Sequence, residues 1–248
     1  MSKDYVASMA SSYGEDSNVY RVRVLGEFPR VEDDCVVPLD LVEAAVLRDV
    51  EPVASRALWG VDVARFGDDA TALAKRAGNV VPEPVKTWHG KDVMQVAGLV
   101  KAEWDATESA MRPAEILVDV IGIGAGVADR LRELGLPARG VNVAEAPAAR
   151  ERYVRLRDEL WFQARDWLAA RDCRLAEDEA LVGELTGPRY AIESSGKLRV
   201  ESKDEMKRRG LRSPDRADAF CLTFAGNPAA DQSGWWKTSR KLDTGYVV

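Results

Sequence analysis

Four aspartates stand where a carboxylate group is costly unless it has a partner. Asp62 interrupts the apolar stretch GVDVA, and Asp119 comes near the end of the apolar stretch ILVDV. Asp215 and Asp218 are three residues apart at the start of a predicted helix, so they share one helical face. A carboxylate in an apolar strand needs a counter-charge or a metal ion. If the four come together, an all-oxygen cluster of this kind suits Mg²⁺ or Mn²⁺ rather than zinc.

Each of these aspartates also has a simpler interpretation when it is taken alone. A strand aspartate is commonly a hydrogen-bonding or ion-pair residue, and an aspartate in a first helical turn commonly stabilises the start of the helix. The joint interpretation as a metal site rests on all four residues together. It also rests on the scarcity of other catalytic groups in the chain.

That scarcity begins with histidine, because the chain has only His89. Zinc hydrolases with two or three histidine ligands and HEXXH metalloproteases need more imidazoles than that. The cysteines, Cys35, Cys173 and Cys221, are far apart and form no CxxC pair, so neither a disulfide framework nor a thiolate zinc site is predicted. Carboxylates must therefore do most of the work in any catalysis.

The charge balance constrains how the chain could bind a nucleic acid. The 248 residues carry 41 acidic and 35 basic side chains, a net charge of −6, so DNA contact requires a local basic patch. One dense basic stretch precedes the last helix, and its predicted DNA-binding residues are Lys203, Lys207, Arg208, Arg209 and Arg212.

No apolar run approaches the roughly 20 residues of a bilayer span, and the polar start lacks a secretory signal, which predicts a cytoplasmic protein without membrane contact.

The elements that must position the aspartates follow from hydrophobic periodicity. Three antiparallel strands, a helix, a strand, a glycine-rich turn that opens a second helix, and a further strand predict an α/β fold whose mixed central sheet is flanked by helices. These elements are predicted at 57–64, 71–75, 80–88, 93–104, 116–120, 122–134 and 138–143. If the first and fourth strands are neighbours and the last helix packs across them, the four carboxylates converge.

Further elements are predicted around this unit. They are a strand at 19–24, a helix with Asp40 and Glu43 as a capping pair, a helix at 151–171, a hairpin at 189–201, and a last helix with Ser213 as N-cap and Pro214 at its first position. Arg150, Arg152, Arg155 and Arg157 are interpreted as surface charges of the 151–171 helix. The predicted organisation is a connector at 1–56, a domain at 57–226 and a flexible tail at 227–248.

Three motifs in order resemble one known family. GVDVARFGDDAT begins at Gly60, VDVIGIGAGV begins at Val118, and ESK is followed by SPDRADAF, which begins at Ser213. Together they resemble the nuclease domain of tailed-bacteriophage terminase large subunits, and the match covers residues 57–226. The stretch VRVLGEFP resembles the join after the ATPase domain of such proteins, but the chain has no GxxxxGK[ST] phosphate loop.

The resemblance implies an RNase H-like fold and a divalent-metal-dependent endonuclease that cuts concatemeric double-stranded DNA with little sequence specificity during packaging. It implies that Asp62, Asp119 and Asp218 are catalytic and hold two Mg²⁺ or Mn²⁺ ions about 3.5 to 4 Å apart, with Asp215 as an assisting ligand. Because the basic stretch leads directly into this site, Lys203 is the residue expected to lie near the scissile phosphate. The choice between Asp215 and Asp218 as third ligand stays open. The implied partners are DNA, an ATPase domain of the same subunit, the small terminase and the portal, in the cytoplasm of an infected bacterium.

Other function classes remain open from the sequence. GVDV and the later VDVIGIGAG also resemble the phosphate loops of an actin-like ATPase, although only one such half is present. An RNase H or Holliday-junction resolvase would share the fold and the metals. A module that mainly docks onto other packaging proteins is a further alternative, with the pair Trp235 and Trp236 as an anchor.

Overall fold

The computed structural model describes residues 2–13, 15, 20–27, 34–64 and 69–226. Its centre is a five-stranded sheet in the order β3-β2-β1-β4-β5. The strands are β1 Ala57–Asp62, β2 Thr71–Ala77, β3 Lys86–Trp88, β4 Glu115–Asp119 and β5 Ala138–Val141. Strand β2 runs antiparallel to both β1 and β3, whereas β4 and β5 run parallel to β1, so the predicted mixed sheet is confirmed.

Helices and a hairpin surround this sheet. The helices are α1 Lys3–Tyr13, α2 Leu39–Leu47, α3 Val93–Ala106, α4 Gly124–Glu133, α5 Leu156–Ala169, α6 Glu179–Thr186, α7 Lys203–Arg208 and α8 Asp215–Leu222. Strands β6 Tyr190–Ile192 and β7 Leu198–Val200 form the predicted hairpin. Among the described residues, no helix is both long enough and apolar enough to span a bilayer.

Strand alternation sends the residues of β1 and β4 to two different helical layers. Trp59 and Val61 of β1 and Val118 of β4 pack against α3 and α4. The residues between them point to the opposite face, where Leu117 packs in the core that includes α5 and α8. Asp62 and Asp119 belong to this second set by their spacing, so both carboxylates face the side of the sheet that α8 covers.

Residues 34–56 contribute to that second layer. Val36, Val37, Val42 and Ala45 are buried in the core shared with α5, α6 and α8. These residues fall within the segment predicted as a connector, 1–56. Their burial packs this segment against the domain predicted at 57–226. The predicted tail at 227–248 lies outside the described residues.

The structure corrects several local predictions. The stretch Arg21–Leu25 is a short π-helical segment rather than a strand. The residue before α2 is Pro38, which provides no side-chain cap, so the Asp40 capping pair is wrong. Helix α8 begins at Asp215 after Pro214, and the Ser213 hydroxyl donates to the Asp215 side chain instead of capping the helix. Residues 80–85 lie outside β3, and the predicted helix at 151–171 begins only at Leu156.

Candidate active site

A close approach between α8 and β1 builds the site. Helix α8 packs across β1 and β2, and a Cβ atom on Gly60 would lie 2.0 Å from the backbone oxygen of Ala219. Only glycine permits the helix backbone to lie this close to the strand. The first turn of α8 therefore sits over the end of β1, which brings Asp215 and Asp218 beside Asp62.

These three aspartates surround the amino group of Lys203, the first residue of α7. The Lys203 Nζ atom lies 2.9 Å from Asp62 Oδ2, 3.1 Å from Asp215 Oδ1 and 3.4 Å from Asp218 Oδ2. The three carboxylate side chains are only 8 to 11% exposed. We call Asp62, Asp215 and Asp218 the acid cluster.

The acid cluster lies in a cleft of about 670 Å³ that Asp119 also lines. Asp119 ends β4, the parallel neighbour of β1, and its Oδ1 accepts a hydrogen bond from the backbone N–H of Ile121 at 3.0 Å. Burial raises the pKa of Asp119, and the Ile121 hydrogen bond acts in the opposite direction. The structure thus brings all four predicted acids to one cleft.

Charges within the acid cluster perturb one another. Burial raises the pKa of Asp62 to about 7, the charges of Asp218 and Asp215 add to the rise, and Lys203 opposes it. Burial by itself would lower the pKa of Lys203, but the surrounding carboxylates hold it well above its ordinary value. The lysine consequently stays protonated and neutralises part of the negative charge in the cleft.

Both oxygens of Asp215 are held by neighbours. Its Oδ2 accepts a hydrogen bond from the backbone N–H of Ala70 at 2.7 Å, and its Oδ1 accepts one from the Ser213 hydroxyl at 2.6 Å. The same Oδ1 also contacts the amino group of Lys203. Asp215 is therefore tied to the loop before β2 as well as to its own helix.

Asp218 is held at one oxygen only. Its Oδ1 accepts hydrogen bonds from Arg157 Nε at 3.1 Å and from Trp161 Nε1 at 2.9 Å. Its Oδ2 is buried and has no hydrogen-bond partner within the described structure. Burial acts to raise the pKa of Asp218, but the charges of Arg157 and Lys203 outweigh it and hold the pKa below its usual value. Asp218 is an ionised carboxylate with one oxygen that accepts two hydrogen bonds and one that only forms an ion pair with Lys203 at 3.4 Å.

Arg157 and Trp161 are site residues that the sequence interpretation missed. The interpretation of Arg157 as a surface charge is wrong, because its side chain is only 17% exposed and pairs with Asp218. Trp161 was not singled out in the sequence; it is fully buried, and its indole N–H donates to Asp218. The available signal was their spacing of four residues, which places an arginine and a tryptophan on one face of α5.

Glu184 on α6 contacts the first turn of α8, the helix that carries Asp215 and Asp218. Its Oε2 accepts hydrogen bonds from the backbone N–H groups of Arg216 at 2.6 Å and Ala217 at 3.1 Å, and its Oε1 pairs with the Arg216 guanidinium at 3.0 Å. These amides belong to the first turn of α8, which lacks a side-chain cap from Pro214. The Glu184 carboxylate thus caps α8 from another helix and fixes the turn that carries Asp215 and Asp218.

The predicted DNA-binding residues occupy different environments. Lys203 lies inside the acid cluster, Lys207 pairs with Asp69 at 3.1 Å, and Arg209 pairs with Glu201. Arg208 is exposed, lines the cleft and has no ion-pair partner among the described residues. Arg212 is exposed between α7 and α8. The basic segment is largely a helix, α7, that begins with a capping box between Ser202 and Glu205.

The donor set of the cleft fits a divalent cation. In the arrangement seen here, the described residues include no three aspartate, glutamate, histidine or cysteine side chains already spaced to hold an ion. The ammonium group of Lys203 lies between the carboxylates instead. The buried Oδ2 of Asp218, which accepts no hydrogen bond, and the other carboxylate oxygens of the cleft are the ligand type that a hard cation such as Mg²⁺ or Mn²⁺ prefers.

Comparisons with known proteins show which proteins this chain resembles. No protein-family model matches the chain. A curated protein described as a probable terminase large subunit, from Enterobacteria phage P7, is 26% identical over 238 residues, which cover 89% of this chain and 47% of the relative. The chain thus spans about half the length of this relative.

Solved structures show the same fold. The nuclease domain of the large terminase subunit of bacterial virus Sf6 matches with a TM-score of 0.64 and 22% identity, over 78% of this chain and 99% of that one. The large terminase nuclease of thermophilic phage G20c, solved with bound magnesium, matches with a TM-score of 0.56 and 14% identity, over 77% and 97%. A variant of the Sf6 domain was solved with manganese. The resemblance to terminase nuclease domains and the RNase H-like fold are confirmed.

Proposed function

We propose that this chain is the nuclease part of a phage DNA-packaging terminase and that it hydrolyses phosphodiester bonds in concatemeric double-stranded DNA. The proposal rests on the convergence of four aspartates in one cleft, namely Asp62, Asp119, Asp215 and Asp218. Three of them surround the ammonium group of Lys203. The fold and the similarity to the phage P7 protein support it.

Within this proposal, Asp62, Asp119 and Asp218 are the catalytic metal ligands and Asp215 assists. Asp218 is preferred to Asp215 as third ligand because its Oδ2 is free of hydrogen bonds, whereas both oxygens of Asp215 are held. Two bound Mg²⁺ or Mn²⁺ ions would polarise the attacking water and stabilise the leaving 3′ oxygen. The magnesium and manganese in the two related nuclease structures favour the same cations.

The residues of the chain have three tasks in this reaction. The acid cluster and Asp119 supply the negative charge that binds cations, while burial excludes competing water. The ammonium group of Lys203 offsets part of this negative charge, and it would have to leave its place between the carboxylates for a cation to occupy the same position. From its new position it can contact a phosphate oxygen, together with Lys207, Arg208, Arg209 and Arg212. Nothing in the sequence matches a base-reading motif, so cutting is expected to be largely independent of sequence.

The proposed setting follows from the partial coverage of the phage P7 relative. Residues 1–56 would connect to an ATPase domain of the same large subunit, and residues 57–226 would form the nuclease domain. Double-stranded DNA, that ATPase domain, the small terminase and the portal are the proposed partners. The proposed location is the cytoplasm of the infected bacterium.

A comparison of substrates tests this proposal. The purified chain would be incubated with linear duplex DNA, an RNA–DNA hybrid and a four-way junction of matched length, in Mn²⁺, Mg²⁺ or EDTA. We expect metal-dependent cutting of the duplex that leaves 5′-phosphate and 3′-hydroxyl ends, with no preference for the other substrates. Preferred cutting of the hybrid or the junction would contradict the packaging role and favour an RNase H or a resolvase.

A further inference from the structure

The hydrogen bonds at Asp218 separate its two oxygens into different roles. Oδ1 accepts from Arg157 Nε and Trp161 Nε1, at 3.1 and 2.9 Å, while Oδ2 faces the acid cluster 3.4 Å from Lys203 Nζ. A carboxylate without such donors can rotate and offer both oxygens to a cation. Here rotation would break two charge-assisted hydrogen bonds, one of them part of an ion pair with Arg157, in a buried environment.

The two donors are themselves held in place. Arg157 Nη1 donates to the backbone oxygen of Glu201 at 2.9 Å, just after β7, and its guanidinium lies 5.5 Å from the centre of the Trp161 ring. The Trp161 side chain is fully buried. Because α5 carries both residues one turn apart, the pair forms a rigid bracket rather than two independent contacts.

We propose that Arg157 and Trp161 determine the cation specificity of the site by allowing Asp218 to bind a metal ion through Oδ2 alone. This inference rests on the proposed metal-dependent function. Mg²⁺ and Mn²⁺ accept single carboxylate oxygens in a near-octahedral shell, whereas Ca²⁺ takes six to eight oxygens and commonly uses both oxygens of one carboxylate. A bracket that withholds Oδ1 therefore disfavours Ca²⁺ relative to the smaller ions. Arg157 and Trp161 are positioning residues, because they act through Asp218.

The ratio of two affinities isolates this effect. Removal of the bracket also changes the charge and the packing near the site, which alters the affinity for every divalent ion. These changes largely cancel in the ratio of Ca²⁺ to Mn²⁺ dissociation constants. If the pair had a purely structural role, its removal would leave that ratio unchanged. Under the proposed role, its removal lowers the ratio, because Ca²⁺ then binds more tightly relative to Mn²⁺.

The test uses the full chain without DNA. Free Mn²⁺ would be followed by its EPR signal, and Ca²⁺ would be added as a competitor, for the unsubstituted chain, Trp161→Phe and Arg157→Lys. Trp161→Phe keeps a ring but removes the N–H donor, and Arg157→Lys keeps the charge but removes the planar guanidinium. We expect each variant to gain about fivefold in Ca²⁺ affinity relative to Mn²⁺, the factor that corresponds to one hydrogen bond.

Matched controls lie on the same helix. Trp167 packs against Phe220 and Phe224, and the Arg165 guanidinium lies over the Phe162 ring, so Trp167→Phe and Arg165→Lys should leave the ratio unchanged. Thermal unfolding would identify variants that do not fold, and two different variants guard against loss of one. An unchanged ratio in folded Trp161→Phe and Arg157→Lys would overturn the bracket proposal alone. Failure of the unsubstituted chain to bind Mn²⁺ would overturn the metal site and the bracket together.

Discussion

The ammonium group of Lys203 offsets the negative charge of three buried carboxylates. Without it, Asp62, Asp215 and Asp218 would repel one another in an environment of low dielectric constant. Asp119 lies outside these Lys203 contacts, and its Oδ1 accepts a hydrogen bond from the backbone N–H of Ile121 at the edge of the cleft. The four acids are thus not equivalent, and their substitutions have separate consequences.

Substitution of Asp119 tests the fourth acid. We expect Asp119→Ala to reduce metal-dependent DNA cleavage at least about 100-fold. Loss of one group that stabilises charge in a transition state commonly slows a reaction by about this factor. The fold should survive, because the side chain is only partly buried at the end of β4. Cleavage assays beside Asp204→Ala provide the comparison, since Asp204 lines the same cleft but is exposed on α7. Equal cleavage by both variants would contradict the assignment of Asp119.

The stability of the chain should depend on pH through its buried carboxyl groups. Burial raises the pKa of Glu184 to about 7, although Arg216 and the α8 amides act in the opposite direction. A carboxyl group with a raised pKa binds more protons in the folded than in the unfolded state between its two pKa values. Its contribution to the free energy of unfolding is therefore complete below about pH 4.5 and is lost as the pH rises through 7.

Glu184→Gln should consequently flatten the fall in unfolding free energy between pH 4.5 and pH 7. Urea denaturation at a series of pH values would measure this slope. Glu179→Gln serves as the control, because Glu179 lies on the same helix with a side chain that is 63% exposed. A slope that is the same in Glu184→Gln as in the unsubstituted chain would show that Glu184 does not titrate in this range.

At the scale of elements, the glycine at the contact between β1 and α8 sets the position of the acids. A methyl group at Gly60 would meet the backbone oxygen of Ala219, which cannot move without displacing α8. We expect Gly60→Ala to lower the free energy of unfolding by about 3 kcal/mol or more. Gly98 lies in α3 with open space around it, so Gly98→Ala should raise that free energy by about 0.5 to 1 kcal/mol. Chemical denaturation of both variants would reveal the opposite signs, and equal effects would contradict the proposed contact.

The sequence predicted the strands of the central sheet better than the ends of its helices. Apolar stretches in β1, β2 and β4 are fixed by burial on both faces, so their patterns are strong. The start of α8 was misplaced because Ser213 has a polar partner, Asp215, that competes with the cap. Helices α6 and α7 were not predicted. They are short, and α7 reads in the sequence as a run of charges.

The convergence of the acids was predictable, but the groups that hold them were not. Asp62 and Asp119 are conspicuous because a carboxylate is unusual in an apolar strand. Asp215 and Asp218 are conspicuous because they lie three residues apart on one face of a helix. Arg157 and Glu184 are ordinary charged residues of amphipathic helices in the sequence. Their roles arise from tertiary contacts with α8 that no local pattern encodes, and the inward position of Lys203 likewise depends on where α7 packs.

At the scale of the whole molecule, a net charge of −6 means that DNA contact depends on local cations. Arg208 is exposed, lines the cleft and is free of ion pairs among the described residues. Arg208→Ala should weaken duplex binding and reduce the magnitude of the slope of log affinity against log salt concentration by about 1. Arg130→Ala on α4, where Arg130 pairs with Glu133, is the control and should leave the slope unchanged. Fluorescence anisotropy at several salt concentrations would measure it, and an unaltered slope in Arg208→Ala would exclude that residue from the DNA path.

The central claim is that the four-aspartate cleft cuts DNA with the help of divalent cations. The most direct measurement is the conversion of supercoiled plasmid by the unsubstituted chain, by Asp62→Ala and by Asp105→Ala, in Mn²⁺, Mg²⁺ or EDTA. Asp105 pairs with Lys101 on the surface of α3 and serves as the matched control. We expect metal-dependent linearisation and degradation by the unsubstituted chain and Asp105→Ala, and none by folded Asp62→Ala or in EDTA. Cleavage that persists in Asp62→Ala would contradict the site, and the absence of cleavage by the unsubstituted chain with either metal would contradict the assignment of an autonomous nuclease.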